Sequence, residues 1–155
     1  MIKYVKQDLS AITRGVVAHG VNCKGVMGSG VAAALRSAHP IIFVRYKQLC
    51  DMYEKTPEWL IGTVDFVDVR PDTELIIANC FTQESFGRSG GPYADAEAIK
   101  LSVQKAMLLA KELGLPFYMP KIGCGLGGLS WEKEIECIIS DLSSEIGIDV
   151  NLCDL

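Results

Sequence analysis

The chain has 155 residues, about half of them apolar, and a formal net charge of −4. That length suits one domain (1–155) with a real hydrophobic core, and excludes a disordered chain. The acidic balance and the lack of any long basic run disfavour duplex nucleic acid as partner, and no stretch is long enough to span a bilayer.

In chain order, Ile2 to Lys6 reads as a short strand ended by Gln7-Asp8. Val16 to Val21 is a second strand, apolar nearly throughout, as a strand covered on both faces must be. Asn22 to Ser29 is a loop of small residues, and Gly30 to Arg36 is Ala-rich and helical. Pro40 starts another helix running to about Tyr53. Gly62 to Val69 and Leu75 to Phe81 are strands, and Thr82 to Pro92 is a polar loop. Asp95 to Leu113 is the clearest helix: Ile99, Val103, Ala106, Met107 and Ala110 recur at three and four, and Gly114 closes it. Phe117 to Met119 is a short buried strand, followed by the glycine-rich Lys121 to Gly128. Ser130 caps a helix with the apolar stripe Trp131, Ile135, Ile138, Ile139 and Leu142, and Asp149 to Leu152 is the last strand. Strands and helices largely alternate. The expected fold is a three-layer α/β/α sandwich with a mixed, mostly parallel sheet of about six strands, by the count just made.

The six cysteines show no C-x-x-C spacing, so zinc-ligand geometry is not expected. With no apolar signal core after Met1, reduced thiols and a cytoplasmic location are the expectation. No metal or cofactor is implied.

Parallel sheets bind ligands beyond the carboxyl ends of their strands, so the segment after each strand matters most. After the second strand comes Asn22-Cys23-Lys24-Gly25-Val26-Met27-Gly28-Ser29-Gly30-Val31-Ala32, opening onto a helix. The glycines let backbone approach a ligand closely, and the amides of the helix N-terminus favour an anion, most often phosphate. After the Phe117 strand comes Lys121-Ile122-Gly123-Cys124-Gly125-Leu126-Gly127-Gly128, again opening onto a helix. Two such loops in one short chain point to a ligand with two phosphates, or with a phosphate and a sugar. Each loop alone is equally well explained by tight turns. Gly28-Ser29-Gly30-Val31-Ala32-Ala33 also fits the dinucleotide fingerprint G-x-G-x-x-A. It sits too far beyond Val21, however, and no acidic residue ends the next strand, so that reading is rejected. No Walker lysine follows Gly30.

The two loops in this order resemble those of the macro domain family, over essentially the whole chain. The resemblance implies a site for ADP-ribose or a phosphorylated relative. Asp8 matches the family's acidic residue on the adenine amino group, with Leu9 counted beside it as ligand-binding. Val16-Val17-Ala18-His19-Gly20-Val21-Asn22 matches the second strand and its terminal asparagine, implied to contact the distal ribose. Gly28, Ser29, Gly30 and Val31 match the first diphosphate loop, and Ile122, Gly123, Cys124, Gly125, Leu126 and Gly127 the second. Two branches look most similar. The yeast-type ADP-ribose 1''-phosphate phosphatase is suggested by His19, by Asn22-Cys23-Lys24-Gly25 and by Phe81-Thr82-Gln83-Glu84-Ser85-Phe86-Gly87. The terminal ADP-ribose glycohydrolase is suggested by Met119 to Leu126 and Trp131-Glu132. That second branch uses a lysine after the Ile76 strand and an aspartate in the second loop, where this chain has Thr82-Gln83-Glu84-Ser85 and Gly127. The phosphatase reading is therefore preferred. A non-catalytic ADP-ribose reader and a hydrolase acting on ADP-ribosylated protein or nucleic acid are the alternatives.

His19 and Asn22 are the catalytic candidates. His19 would serve as acid or nucleophile if it faces the cleft. Its bland reading is a core residue inside a buried strand. A spacing of three would put it and Asn22 on opposite faces of a regular strand, unless Gly20 permits a bend. Ser85 and Phe86 are expected at the ligand, with Phe86 against adenine or the distal ribose. Asn79 and Asp95 are weaker candidates, Asp95 being better suited to start its helix. Cys124 between glycines lacks a visible partner base. His39 is read as a surface residue, and Trp59 and Trp131 as packing residues.

Overall fold

The computed structural model describes residues 1–87 and 93–154. In chain order the strands are β1 (Ile2–Val5), β2 (Gly15–Val21), β3 (Val64–Arg70), β4 (Leu75–Phe81), β5 (Phe117–Met119) and β6 (Val150–Cys153). The α-helices are α1 (Gly30–Ala38), α2 (Ile41–Met52), α3 (Ala96–Leu113) and α4 (Glu136–Ile146). The strands form one six-stranded sheet in the order β1-β6-β5-β2-β4-β3. Every neighbouring pair is parallel except β3–β4. The expected mixed, mostly parallel sheet is therefore what forms, with the antiparallel strand at one edge.

The layers come from alternation along the strands. Val16 and Ala18 of β2 point into one core with Val103 and Met107 of α3 and Ile139 and Leu142 of α4. Val17 and Val21 point the other way, into a second core with Leu35 of α1 and Ile42 and Tyr46 of α2. A strand that feeds two cores must be apolar at nearly every position, which is why β2 reads as an apolar run interrupted only by His19 and its glycines. Helix ends use side chains. Asp95 caps α3 by accepting from the Glu97 amide at 2.9 Å, and Gly114 closes it in the left-handed region at φ 66. Ser130 caps the following turn, as expected, but that turn (Trp131–Ile135) is π-helical before α4 begins.

Three smaller expectations need revision. The Gly62 strand begins at Val64, because Pro57–Trp59 forms a 3-10 turn and Gly62 takes φ 84. Trp59 is 68% exposed and meets the Tyr53 ring at a tilt, with 6.2 Å between centroids, whereas Trp131 is buried. His39 is buried at the end of α1, its amide bonded to the Leu35 carbonyl. The loop read over Thr82 to Pro92 is described as far as Gly87, and Pro92 lies outside the described residues. No described helix is long and apolar enough to cross a membrane.

Because β1, β6, β5, β2 and β4 run the same way, their carboxyl ends share one edge of the sheet. Segments far apart in sequence meet there.

Candidate functional site

A cleft of about 680 Å³ opens at this edge. Its floor is the end of β2, at Gly20, Val21 and Asn22. The segment after β4 (Thr82, Gln83, Phe86, Gly87) forms one wall, and the segment after β5 (Pro120 to Ile122, Gly123, Gly125 to Gly127) the other. The loop from Val26 to Ala32 runs along it into α1, and Cys153 and Asp154 complete it after β6. A second hollow of about 350 Å³ adjoins the first. It is lined by Gln7, Asp8, Leu9, Ser10, Ala34 and Leu35, and shares Gly30, Val31 and Cys153 with the larger cleft.

Both glycine loops present backbone donors. Among the described residues, the amides of Gly28, Ser29, Gly30, Val31 and Ala32 meet no acceptor, and the first bond of α1 runs from Ala33 to the Ser29 carbonyl at 3.3 Å. Ser29 makes no side-chain cap bond, so the helix end is open to an anion. Gly30 sits at φ 61 with open space where a side chain would stand, so its backbone conformation, not crowding, calls for glycine. In the second loop the amides of Gly123, Gly125, Leu126 and Gly127 also lack acceptors among the described residues. Gly127 is fixed by packing: a Cβ there would lie 2.6 Å from the Gly123 carbonyl oxygen, and its own carbonyl accepts from Tyr93 and Ala94. No side chain, aspartate included, fits at 127 without moving backbone.

Asn22 lines the cleft, and its amide group holds the first loop in shape. Its Nδ2 donates to the Val26 carbonyl at 2.9 Å, and its Oδ1 accepts from the Lys24 amide at 2.9 Å and from the Tyr46 hydroxyl at 2.6 Å. The Tyr46 Oη in turn accepts from the Val26 amide at 3.0 Å. One N–H of Asn22 remains for a ligand. Asp8 caps the 3-10 turn Leu9–Ala11 through Oδ1, which accepts from the Ser10 amide and hydroxyl. These bonds hold its carboxyl below the usual range. Oδ2 has no partner among the described residues, so the cap and an acceptor role coexist. Phe86 and Leu126 stand on the two walls, 49% and 55% exposed, apolar surface that a bound ligand would cover.

His19 is not part of this surface. Register pairs it with Asn79 on the neighbouring parallel strand, so both side chains point to the α2 layer. Its Nε2 lies 2.6 Å from Asn79 Oδ1, while Asn79 Nδ2 donates to the Ile42 carbonyl at 3.3 Å. That orientation makes Nε2 the donor and leaves Nδ1 buried without a partner among the described residues. His19 is 1% exposed and does not line the cleft. Burial pushes its pKa down to about 4. The expectation of a substrate-facing acid or nucleophile is corrected: the core reading describes its place. The concern about opposite faces resolves otherwise than expected. Asn22 lies beyond the last residue of β2, off the strand's alternation, and so reaches Tyr46 on the same side as His19.

Two other site residues are also corrected. The Cys124 side chain turns to the core, its Sγ donating to the Ile122 carbonyl at 3.3 Å and its amide to the Lys121 carbonyl. Cys124 is absent from the lining of the cleft, and burial raises its pKa to about 11, which disfavours the thiolate. Ser85 lies outside the lining, its carbonyl accepting from Gln83 Nε2 at 2.7 Å. Asp8, Leu9, Asn22, Gly28, Ser29, Gly30, Val31, Phe86, Ile122, Gly123, Gly125, Leu126 and Gly127 come together across the two hollows. Cys153 and Asp154 join them without having been expected there. The strand-end rule is the signal that could find them, once the last strand is placed inside the sheet and not at its border.

Residues 18–138 match the model of the Macro domain. The chain belongs to the Macro domain family. It is 29% identical to the ADP-ribose 1''-phosphate phosphatase of Scheffersomyces stipitis, over 97% of this chain and 99% of that protein. It is 32% identical to the DNA ADP-ribosyl glycohydrolase of Mycobacterium tuberculosis over 90% of this macro domain, but spans only 38% of that protein. A solved protein of Bacteroides thetaiotaomicron superposes with a TM-score of 0.84 at 30% identity, each chain fully covered.

Proposed function

We propose that this macro domain binds ADP-ribose and removes the terminal phosphate from ADP-ribose 1''-phosphate. The observation that carries the reading is that two segments whose amides lack acceptors among the described residues, one leading into α1 and one after β5, line one cleft. A diphosphate spanning them meets donors from both sides. Adenine fits the adjoining hollow, where Asp8 offers an acceptor beside Leu9, Val31 and Leu35. Asn22 and its remaining N–H meet the distal ribose. The match to yeast phosphatases along nearly their whole length supports the same activity.

The geometry also shapes the chemistry. With His19 behind the strand, a phosphohistidine is disfavoured. Amide donors hold the charge on the non-bridging phosphoryl oxygens as water adds to phosphorus and the P–O bond to the sugar breaks, one proton of the water passing to the departing sugar oxygen, and Asn22 orients that sugar. Release of ADP-ribose from modified protein or DNA is the second reading, supported by the glycohydrolase relative. Against it stand Gln83 in the wall where the resemblance implies a lysine nearby, and Gly127, where no aspartate fits.

Calorimetry with ADP-ribose, beside AMP and NAD, tests the binding. A phosphate-release assay on ADP-ribose 1''-phosphate tests the reaction. Saturable, selective ADP-ribose binding with phosphate release is expected. Absence of binding at millimolar ligand would overturn the reading, and binding without phosphate release would leave a reader or the second reading, which release of ADP-ribose from a modified acceptor tells apart.

A further inference from the structure

The two hollows meet at Gly30, Val31 and Cys153. On the proposed placement, adenine lies on one side of that junction and the diphosphate on the other. The adenosine ribose must therefore pass beside Cys153. The next residue, Asp154, lines the larger cleft there. Its backbone is fixed by donation of its amide to the Val5 carbonyl at 3.0 Å. Its carboxylate is held by Lys121 Nζ at 3.3 Å, reaching over from the β5 loop. Lys121 also lines the cleft.

We infer that Asp154, paired with Lys121, makes the site select an adenosine ribose with free hydroxyls and reject one phosphorylated at the 2'-position. The inference rests on the ADP-ribose reading above. A carboxylate accepts hydrogen bonds from the vicinal hydroxyls of a ribose, and repels a phosphate ester on the same carbon, the logic by which an acidic residue at a dinucleotide site sets its preference. Pairing with Asp154 also keeps Lys121 from offsetting the effect. As long as Asp154 occupies the ammonium group, it offers no free cation to a 2'-phosphate. Ligands derived from unphosphorylated nicotinamide dinucleotides are thereby favoured over those derived from the 2'-phosphorylated form.

The test compares the affinities of ADP-ribose and 2'-phospho-ADP-ribose by calorimetry for the wild type, Asp154→Asn and Lys121→Ala. Asp154 is more than half exposed, so its amide isostere leaves the core untouched. The wild type should prefer ADP-ribose by about tenfold or more, as expected for one like-charge contact in a partly solvated site. Asp154→Asn, which removes the repulsion and frees Lys121, should shrink the preference to about threefold or invert it. Lys121→Ala should keep or widen it, a direction opposite to that of simple damage at the site. Equal affinity in the wild type, or a preference unaltered in Asp154→Asn, would overturn the inference while leaving ADP-ribose binding intact. Loss of all ADP-ribose binding in the wild type would bring down the underlying reading, and this filter with it.

Discussion

His19 separates residue type from residue role. Histidine beside a terminal asparagine suggests acid–base work, yet strand register carries it to Asn79 and away from the cleft. Sequence spacing exposed the difficulty, since His19 and Asn22 could not share a face within one regular strand. It placed Asn22 just past Val21, but could not say that the turn there brings its side chain to Tyr46, on the same side as His19. The buried imidazole has a consequence for stability. An unfolded histidine titrates near 6.5, and His19 in the fold near 4. Between these values the unfolded chain binds the extra proton, so stability rises with pH through the window, is complete above it, and is lost as pH falls through it. From pH 7 to pH 5 this one group removes about 2 kcal/mol. Urea unfolding at the two pH values should show that loss in the wild type, and His19→Gln should show about 2 kcal/mol less dependence. An identical pH dependence in the variant would place the titration elsewhere. Because His19 does not touch the cleft, ADP-ribose affinity in His19→Gln should stay within about threefold of wild type, as for a residue whose effects are structural.

At the scale of elements, the first loop is shaped by a helix that follows no strand. The Tyr46 hydroxyl, from the middle of α2, donates to Asn22 and accepts from the Val26 amide. It thereby fixes both the floor of the cleft and the approach to α1. The sequence identifies α2 through Pro40, and it identifies the glycine loop. It gives no sign that one holds the other, because a tyrosine on a buried helical face reads as packing; its ring does stack on Phe81 at 5.9 Å. Tyr46→Phe keeps the stacking and removes only the hydroxyl, leaving the Val26 N–H without its acceptor and Asn22 short of one donor. We expect a loss of about 1–3 kcal/mol in stability. Part of the lost order should appear at the site as an affinity for ADP-ribose weaker by about tenfold. Calorimetry and denaturation on the same preparation check both. A variant that loses stability yet binds as wild type would show that the loop is held by Asn22 alone.

The whole molecule explains why most of the site was legible and part was not. Alternating strands and helices imply a parallel sheet, and a parallel sheet puts strand ends together, so the loops after β1, β2, β4 and β5 could be assigned to one cleft from sequence. The order of strands could not be read. β6, last in the chain, sits between β1 and β5, which brings Cys153 and Asp154 to the junction of the two hollows. Cys124 was misplaced for a related reason: adjacent residues in a tight loop point alternately to ligand and core, and glycine spacing does not say which. If one ligand spans the whole edge, binding must order every one of these ends together. Hydrogen exchange with and without saturating ADP-ribose should therefore show added protection in segments 7–10, 26–32, 82–87, 120–127 and 153–154 at once. Ligand at about a hundred times its Kd should also stabilise the native state by about 2.7 kcal/mol. The antiparallel edge strand β3 contributes no lining residue, so its protection should rise only by that global amount. Protection confined to the first loop would mean that a phosphate alone is held there and that the ligand does not reach across to β6.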